Sequence, residues 1–148
     1  RSVSRGLGDV YKRQIYNKSS NLNKNINKDF GVDVIAIYKR SSNILNSEIK
    51  SNPEILGSAD PGLFKNDYEK NLYKKIHTIR KYFSSVGREE NYDESLKTLS
   101  SAKFEVNEFF DNVIVNDQEE IIKKNRLELL KMLCKSFDNY FNFSKIEA

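Results

Sequence analysis

Residues 66–87 read NDYEKNLYKKIHTIRKYFSSVG. Tyr68, Leu72, Ile76, Ile79, Phe83 and Val86 recur in steps of four and three, so one face of this stretch is oily and the rest is Lys, Arg, Asn and Glu. That spacing predicts an amphipathic helix. Asn66 stands where an N-cap belongs, Glu69 follows three residues later as a capping-box partner, and Gly87 is placed to stop the helix.

The same pattern repeats toward the C-terminus. Asn91 with Glu94 predicts a second start, followed by Tyr92, Leu96, Leu99, Ala102, Val106, Phe109 and Val113 on one face. LSSAK (residues 99–103) is a weak stretch where this helix is expected to bend or split. Val113–Asp117 (VIVND) is β-branched and then polar, which suits an extended link. Asp117 with Glu120 predicts a third capping box, ahead of a helix through Ile121, Ile122, Leu127, Leu130, Cys134, Phe137 and Phe141.

Toward the N-terminus, Ile35, Tyr38, Leu45 and Ile49, with Ser42 filling a gap, predict a helix over Val32–Ile49. Ser51-Asn52-Pro53 ends it, because proline lacks an N–H and restricts the residue before it. Pro53–Lys65 holds both prolines and two of the six glycines, and reads as a loop. Short links at Gly87–Glu90 and near Ile114–Asn116 favour antiparallel neighbours. No strand pattern and no repeat stands out. The expected fold is all-α, an antiparallel bundle of about four helices over residues 31–148. Residues 15–30 form a poorly defined connecting segment.

The chain has 148 residues, enough for one domain with its own core. No run of about eighteen apolar residues exists to span a membrane. Arg1–Gln14 has basic residues but no apolar stretch behind them, so it does not read as a secretory signal. A single Cys, Cys134, excludes an intrachain disulfide and suits a reducing compartment. The formal charge of +4 suggests nucleic acid, but its distribution does not. Arg1, Arg5, Lys12 and Arg13 stand against Asp9 in the first fourteen residues. Of 25 basic and 21 acidic residues, that leaves 21 against 20. Any nucleic-acid contact in the body must come from local patches.

Catalytic and metal chemistry is not written into the chain. The lone His77 lacks a companion ligand and reads as a helix-flank residue, so no metal site is expected. Cys134 lies on an apolar face and reads as an inert buried thiol. Gly6–Gly8 (GLG) lacks the strand–helix setting of a phosphate loop. Glu89-Glu90, Asp93-Glu94 and Glu119-Glu120 sit at helix starts, where acids offset the helix dipole. No catalytic residue is expected.

Five short stretches occur in a telling order: YKRSSNIL (Tyr38–Leu45), DPGLF (Asp60–Phe64), EKNLY (Glu69–Tyr73), VNEFFDNVIVND (Val106–Asp117) and NRLELLKMLCKSFDNYFNFSKI (Asn125–Ile146). Together, from about Phe30 to the end, they resemble the C-terminal end of the bacterial glycyl-tRNA synthetase β subunit. The family pattern runs K-R-x-x-N-I-L, a D-P-x-L-F loop, E-x-x-L, F-F-D-x-V-x-V and N-R-L-x-L-L. This chain departs from it in carrying more Lys, Asn, Ile and Ser where family members carry Ala and Leu.

The resemblance implies a DALR-type anticodon-binding domain, shared in outline with arginyl-tRNA synthetase. It implies a cytoplasmic enzyme of α and β subunits, usually two of each, that uses ATP and Mg to join glycine to its tRNA. Activation of glycine belongs to the α subunit, so this fragment needs no cofactor or active site of its own. Unstacked anticodon bases are read by their edges and by stacking, and their phosphates need cations. Lys39, Arg40 and Asn43 supply a cation, a planar fork and an amide within one turn, with Lys39 and Asn43 on one face. Lys123, Lys124, Asn125 and Arg126 form a second such group. Asn43 and Asn125 also fit a second role, as clamps between helices. Phe109 fits the core, and Phe110 fits either helix packing or a stacking platform. Two other readings stay open: a helical protein-interaction module, and the homologous domain of arginyl-tRNA synthetase.

Arg1–Gln14 (RSVSRGLGDVYKRQ) lies outside the resemblance, does not begin with Met, and differs from the Asn- and Lys-rich body in its residue usage. It resembles a translated sequencing-adapter read-through. It is read as a disordered, non-native leader, and the chain as a fragment.

Overall fold

The computed structural model describes residues 29–49, 55–86 and 91–140. They form α1 (Asp29–Ile49), a 3-10 turn (Pro61–Leu63), α2 (Asp67–Ser85), α3 (Tyr92–Ser100), α4 (Lys103–Asn112) and α5 (Glu120–Asp138). No strand occurs among the described residues, and the all-α bundle expected from the periodicity is the fold. The expected leader Arg1–Gln14, the expected connecting segment up to Lys28, and the expected stops at Ser51-Asn52-Pro53 and Gly87, with Phe141, lie outside the described residues.

At two of the three predicted starts the asparagine caps its helix as expected, although the Glu69 side chain accepts the Lys65 N–H rather than that of Asn66. Asn66 Oδ1 accepts the Glu69 N–H at 3.0 Å, and Asn91 Oδ1 accepts the Glu94 N–H at 3.1 Å. The third start is not capped in this way. The N-cap of α5 is Glu119, which makes no side-chain cap bond. Asp117 instead accepts the Glu119 N–H at 2.9 Å with one oxygen and faces Arg126 with the other.

The helix predicted from Asn91 splits in LSSAK. Ser100 and Ser101 turn their hydroxyls back onto the carbonyls of Lys97 and Thr98, and the Ser101 and Ala102 amides tighten to carbonyls three residues back. Such local bonds compete with the helical ladder. The apolar phase survives the break, since Leu96, Leu99, Ala102, Val106 and Phe109 are all buried. α3 and α4 therefore act as one rod with a joint.

Side-chain contacts fix the directions. Lys75 meets Glu105, and the Tyr82 hydroxyl meets Ser95 at 3.0 Å, so α2 runs antiparallel to α3–α4. Tyr38 stacks near Phe137 and Glu48 pairs with Lys123, so α1 runs antiparallel to α5. α1 packs on α5 and α3, whereas α2 packs on α4 and α5. Consecutive helices α1 and α2 therefore sit diagonally across the bundle. Residues 55–66, the described part of the connection between them, run over α5 on the way to α2.

That crossing explains a difference on α5. The periodicity predicts one buried face, but α5 is buried nearly all round, including Asn125, Arg126, Glu128, Leu129, Met132, Leu133 and Ser136. Helices α1 and α2 cover its two flanks, and the crossing loop covers the side facing away from the core. Ile121, placed in the apolar series, is 66% exposed at the helix start. On α1 the buried series is Val34, Ile37, Tyr38, Ser41 and Leu45. Ile35 and Ser42, expected inward, are only half-buried. The face turns because α1 must serve two neighbours. Leu72, Ile76, Ile79, Leu127 and Leu130 are completely enclosed, each contributing about 1.5–3 kcal/mol from burial. Among the described residues no helix is long and apolar enough to cross a membrane.

Candidate nucleic-acid interface

The crossing loop decides which polar side chains of α5 remain for a ligand. Its residues Leu56–Asp60 present a run of backbone amides to α5. Glu128 accepts the Leu56 N–H at 2.7 Å and the Gly57 N–H at 3.4 Å with Oε1, and the Ser58 N–H at 2.9 Å with Oε2. Asn125 clasps Asp60 at both ends, accepting its N–H at 2.7 Å and donating to its carbonyl at 3.1 Å. The Met132 sulfur accepts the Ala59 N–H, and Lys135 Nζ donates to the Leu56 carbonyl. Gly57 makes the bend possible. Its φ of +88° is one that L side chains rarely adopt, and a Cβ there would stand 3.2 Å from Lys135 Cδ.

Arg126 ties two further segments to α5. Nε and Nη2 donate to Glu69 Oε1 at 3.3 and 3.1 Å, at the start of α2. Nη1 donates to the Ile114 carbonyl at 2.6 Å and to Asp117 at 3.3 Å, in the link before α5. Glu69 is fully buried, and its Oε2 has no hydrogen-bond partner in the structure. The ion pair is thus enclosed and only partly satisfied. Its carboxylate bonds the Lys65 amide and Arg126, a tertiary role beyond the expected helix cap.

The structure places the two groups expected to meet RNA differently. Asn125 and Arg126 are buried, and their polar atoms are taken by Asp60, Glu69, Ile114 and Asp117. Of the two uses open to Asn125, the clamp is the one formed. The N-R-L run is an internal brace.

The α1 group is placed differently. Lys39 is half-buried, and Arg40 and Asn43 are exposed. Arg40 Cζ lies 4.5 Å from the ring centroid of Phe110, which in turn meets Phe109 edge-on at 5.5 Å. Phe109 is core, as expected. Phe110 is half-buried and serves as a platform for the guanidinium. Asn43 makes no hydrogen bond among the described residues, so the clamp role is not the one it plays here. At the start of α5, Lys123 pairs with Glu48 at 2.9 Å, and that hydrogen bond holds its ammonium pKa above the usual value. Lys124 beside it is exposed.

The arrangement offers exposed cations and amides but no reacting constellation. Burial, then the Asp138 carboxylate, push the Cys134 thiol up to about 12, so it is protonated and unreactive near neutrality. His77 is exposed and packs edge-on against Tyr73 at 4.4 Å. Among the described residues no group of His, Cys, Asp and Glu could hold a metal.

Comparison with known families decides the classification. The DALR anticodon binding domain matches residues 34–148. This chain belongs to that family. The glycine–tRNA ligase β subunit of Rickettsia typhi is 36% identical over 119 residues, covering 80% of this chain and 17% of the relative. That of Rickettsia bellii is 33% identical over 145 residues, covering 98% of this chain and 21% of the relative. The chain thus spans about a fifth of the length of the curated relatives it matches. Within the DALR match, the braces Asn125, Arg126 and Glu128 belong to the scaffold. Lys39, Arg40, Asn43 and Lys124 lie on its surface. α2 also carries five basic residues against two acidic ones, a local excess that the near-neutral total of the body conceals.

Proposed function

We propose that this chain is the anticodon-binding portion of a glycine–tRNA ligase β subunit. The match to the DALR anticodon binding domain over residues 34–148 carries the reading. The named relatives favour the glycine enzyme over the arginine enzyme. The domain is taken as residues 31–148. Its RNA contacts are Lys39, Arg40 and Asn43 on α1, with Lys123 and Lys124 at the start of α5. Asn125 and Arg126 support them from within. The Arg40 guanidinium, held over Phe110, presents a planar cation suited to an unstacked base or a phosphate. The wider assembly is an α2β2 enzyme of the cytoplasm. It uses ATP and Mg to attach glycine to tRNA, with the catalytic step outside this chain.

The test is binding of the 148-residue chain to a glycine tRNA and to the same tRNA with its anticodon replaced. The expected result is at least about tenfold weaker binding of the altered tRNA, a difference of about 1.4 kcal/mol. Equal affinity for the two, with the same steep salt dependence, would mean phosphate binding alone and would sink the reading.

A further inference from the structure

We infer that the groove between the start of α1 and the first turns of α3 is a docking surface for this chain's own residues 22–28. The folded unit then begins ahead of residue 31, where the domain proposed above was taken to start. This goes beyond the RNA-binding reading and does not depend on it.

The groove has a volume of ≈ 720 Å³, and its lining includes Phe30 of α1 and Asp93, Glu94, Leu96, Lys97 and Thr98 of α3. Phe30 is 43% exposed there, although Gly31 and Val34 beside it are buried. Asp93 and Glu94 are exposed. Among the described lining residues the one cation is Lys97, and its ammonium lies over the Phe30 ring at 5.9 Å. Two carboxylates repel a phosphate backbone, so the groove suits a peptide segment that joins apolar side chains to cations.

Direction decides which segment that is. Lys97 meets Phe30, and Lys103 pairs with Asp33 at 3.1 Å. Rising numbers on α1 meet rising numbers on α3 and α4, so α1 runs parallel to them. The start of α1 therefore stands level with Lys97, and the stretch of α3 back to Asp93, about 6 Å of helix, extends past it. The residues ahead of Asp29 join α1 at the mouth of the groove.

Their chemistry matches its walls. Residues 22–28 read LNKNINK, with two cations, Lys24 and Lys28, and no acid. Leu22 and Ile26 precede Phe30 in steps of four, the spacing that puts side chains on one helical face. They extend the apolar line of Phe30 along α3. Lysine stems are long enough to carry their ammonium groups to Asp93 and Glu94. Joined to the groove through Asp29, this segment meets it at an effective concentration that a separate molecule does not reach.

The test uses the 148-residue chain throughout. Lys24→Glu/Lys28→Glu is made in the parent and in an Asp93→Lys/Glu94→Lys background, and melting points are compared. In the parent the reversal is expected to lower the melting point by about 2–4 °C. In the reversed background it is expected to raise it, because the charges are again opposite. The cost of changing charge at the start of α3 is common to both arms and cancels. The same fall in both backgrounds would mean that the groups do not meet, and would overturn the inference. A second comparison probes the apolar side. Ile26→Asp is expected to quicken hydrogen exchange along α3 while α5 keeps its protection, and Asn25→Asp, which adds the same charge one residue earlier, is expected to leave both unchanged. Equal exchange in these two variants would also overturn the inference. So would a parent melting point that rises with chain concentration, which would assign the groove to a second copy.

Discussion

Two short groups of this chain look alike in sequence and end in opposite environments. Lys39, Arg40 and Asn43 lie on α1, and Lys123, Lys124, Asn125 and Arg126 lie on α5. Each joins cations to an amide within about one helical turn. On α1 the Arg is exposed over an aromatic ring. On α5 the Arg is enclosed, with its donors spent on Glu69, Asp117 and a backbone carbonyl. The difference arises from what lies across from each helix, which the local residues do not determine. An Arg–Asn pair is a ligand contact or a brace according to whether another part of the same chain reaches it first.

The largest expected effect falls on the enclosed group. Arg126→Ala leaves the Glu69 carboxylate buried without its cation, which should cost about 3–5 kcal/mol of stability in a urea titration. Recovery of most of that loss in Arg126→Ala/Glu69→Leu would identify the stranded charge as the cause. An Arg126→Ala chain as stable as the parent would erase the contrast between the groups.

Next comes the loop brace. Glu128→Ala strips the shared acceptor from the Leu56, Gly57 and Ser58 amides and should cost about 1–3 kcal/mol. Hydrogen exchange should quicken at those amides while the α2–α4 contacts keep their protection. Uniform quickening across the bundle would mean that the loop is not a separate unit.

The smallest effect belongs to α1. Arg40→Ala removes one exposed cation–ring contact and should cost no more than about 1 kcal/mol. The substitution should nevertheless weaken glycine tRNA more than it weakens the fold. A stability loss comparable with that of Arg126→Ala would show that Arg40 is also a brace.

Much of the fold was legible because α2, α3 and α4 each turn one apolar stripe to the core. Leu72, Ile76, Ile79, Leu96, Leu99, Val106 and Phe109 could be placed by spacing alone. The joint in LSSAK was legible too, from serines that compete for helical carbonyls. α5 was not legible in the same way. Asn125, Arg126 and Glu128 carry surface chemistry; the loop that covers Asn125 and Glu128 lies about 70 residues earlier in the chain, and Arg126 is enclosed by Glu69 and the link before α5. The third cap failed for a related reason: Arg126 claims one oxygen of Asp117, and no local pattern signals that rival. The candidate site was half legible. On α1, Arg40 and Asn43 are exposed and Lys39 half-buried, whereas on α5 adjacency in sequence does not bring accessibility.

The crossing loop also sets an order of events during synthesis. Its N–H groups are held by α5 through bonds that span from 65 to 73 residues of chain. A ribosome that has completed α1 and α2 has therefore not yet made the side chains that fix the path between them. Before α5 emerges, the nascent chain holds helical pieces and an unanchored connection. Locking of the bundle is delayed to α5, so a stalled or shortened translation product would expose the apolar faces of α1 to α4 at once.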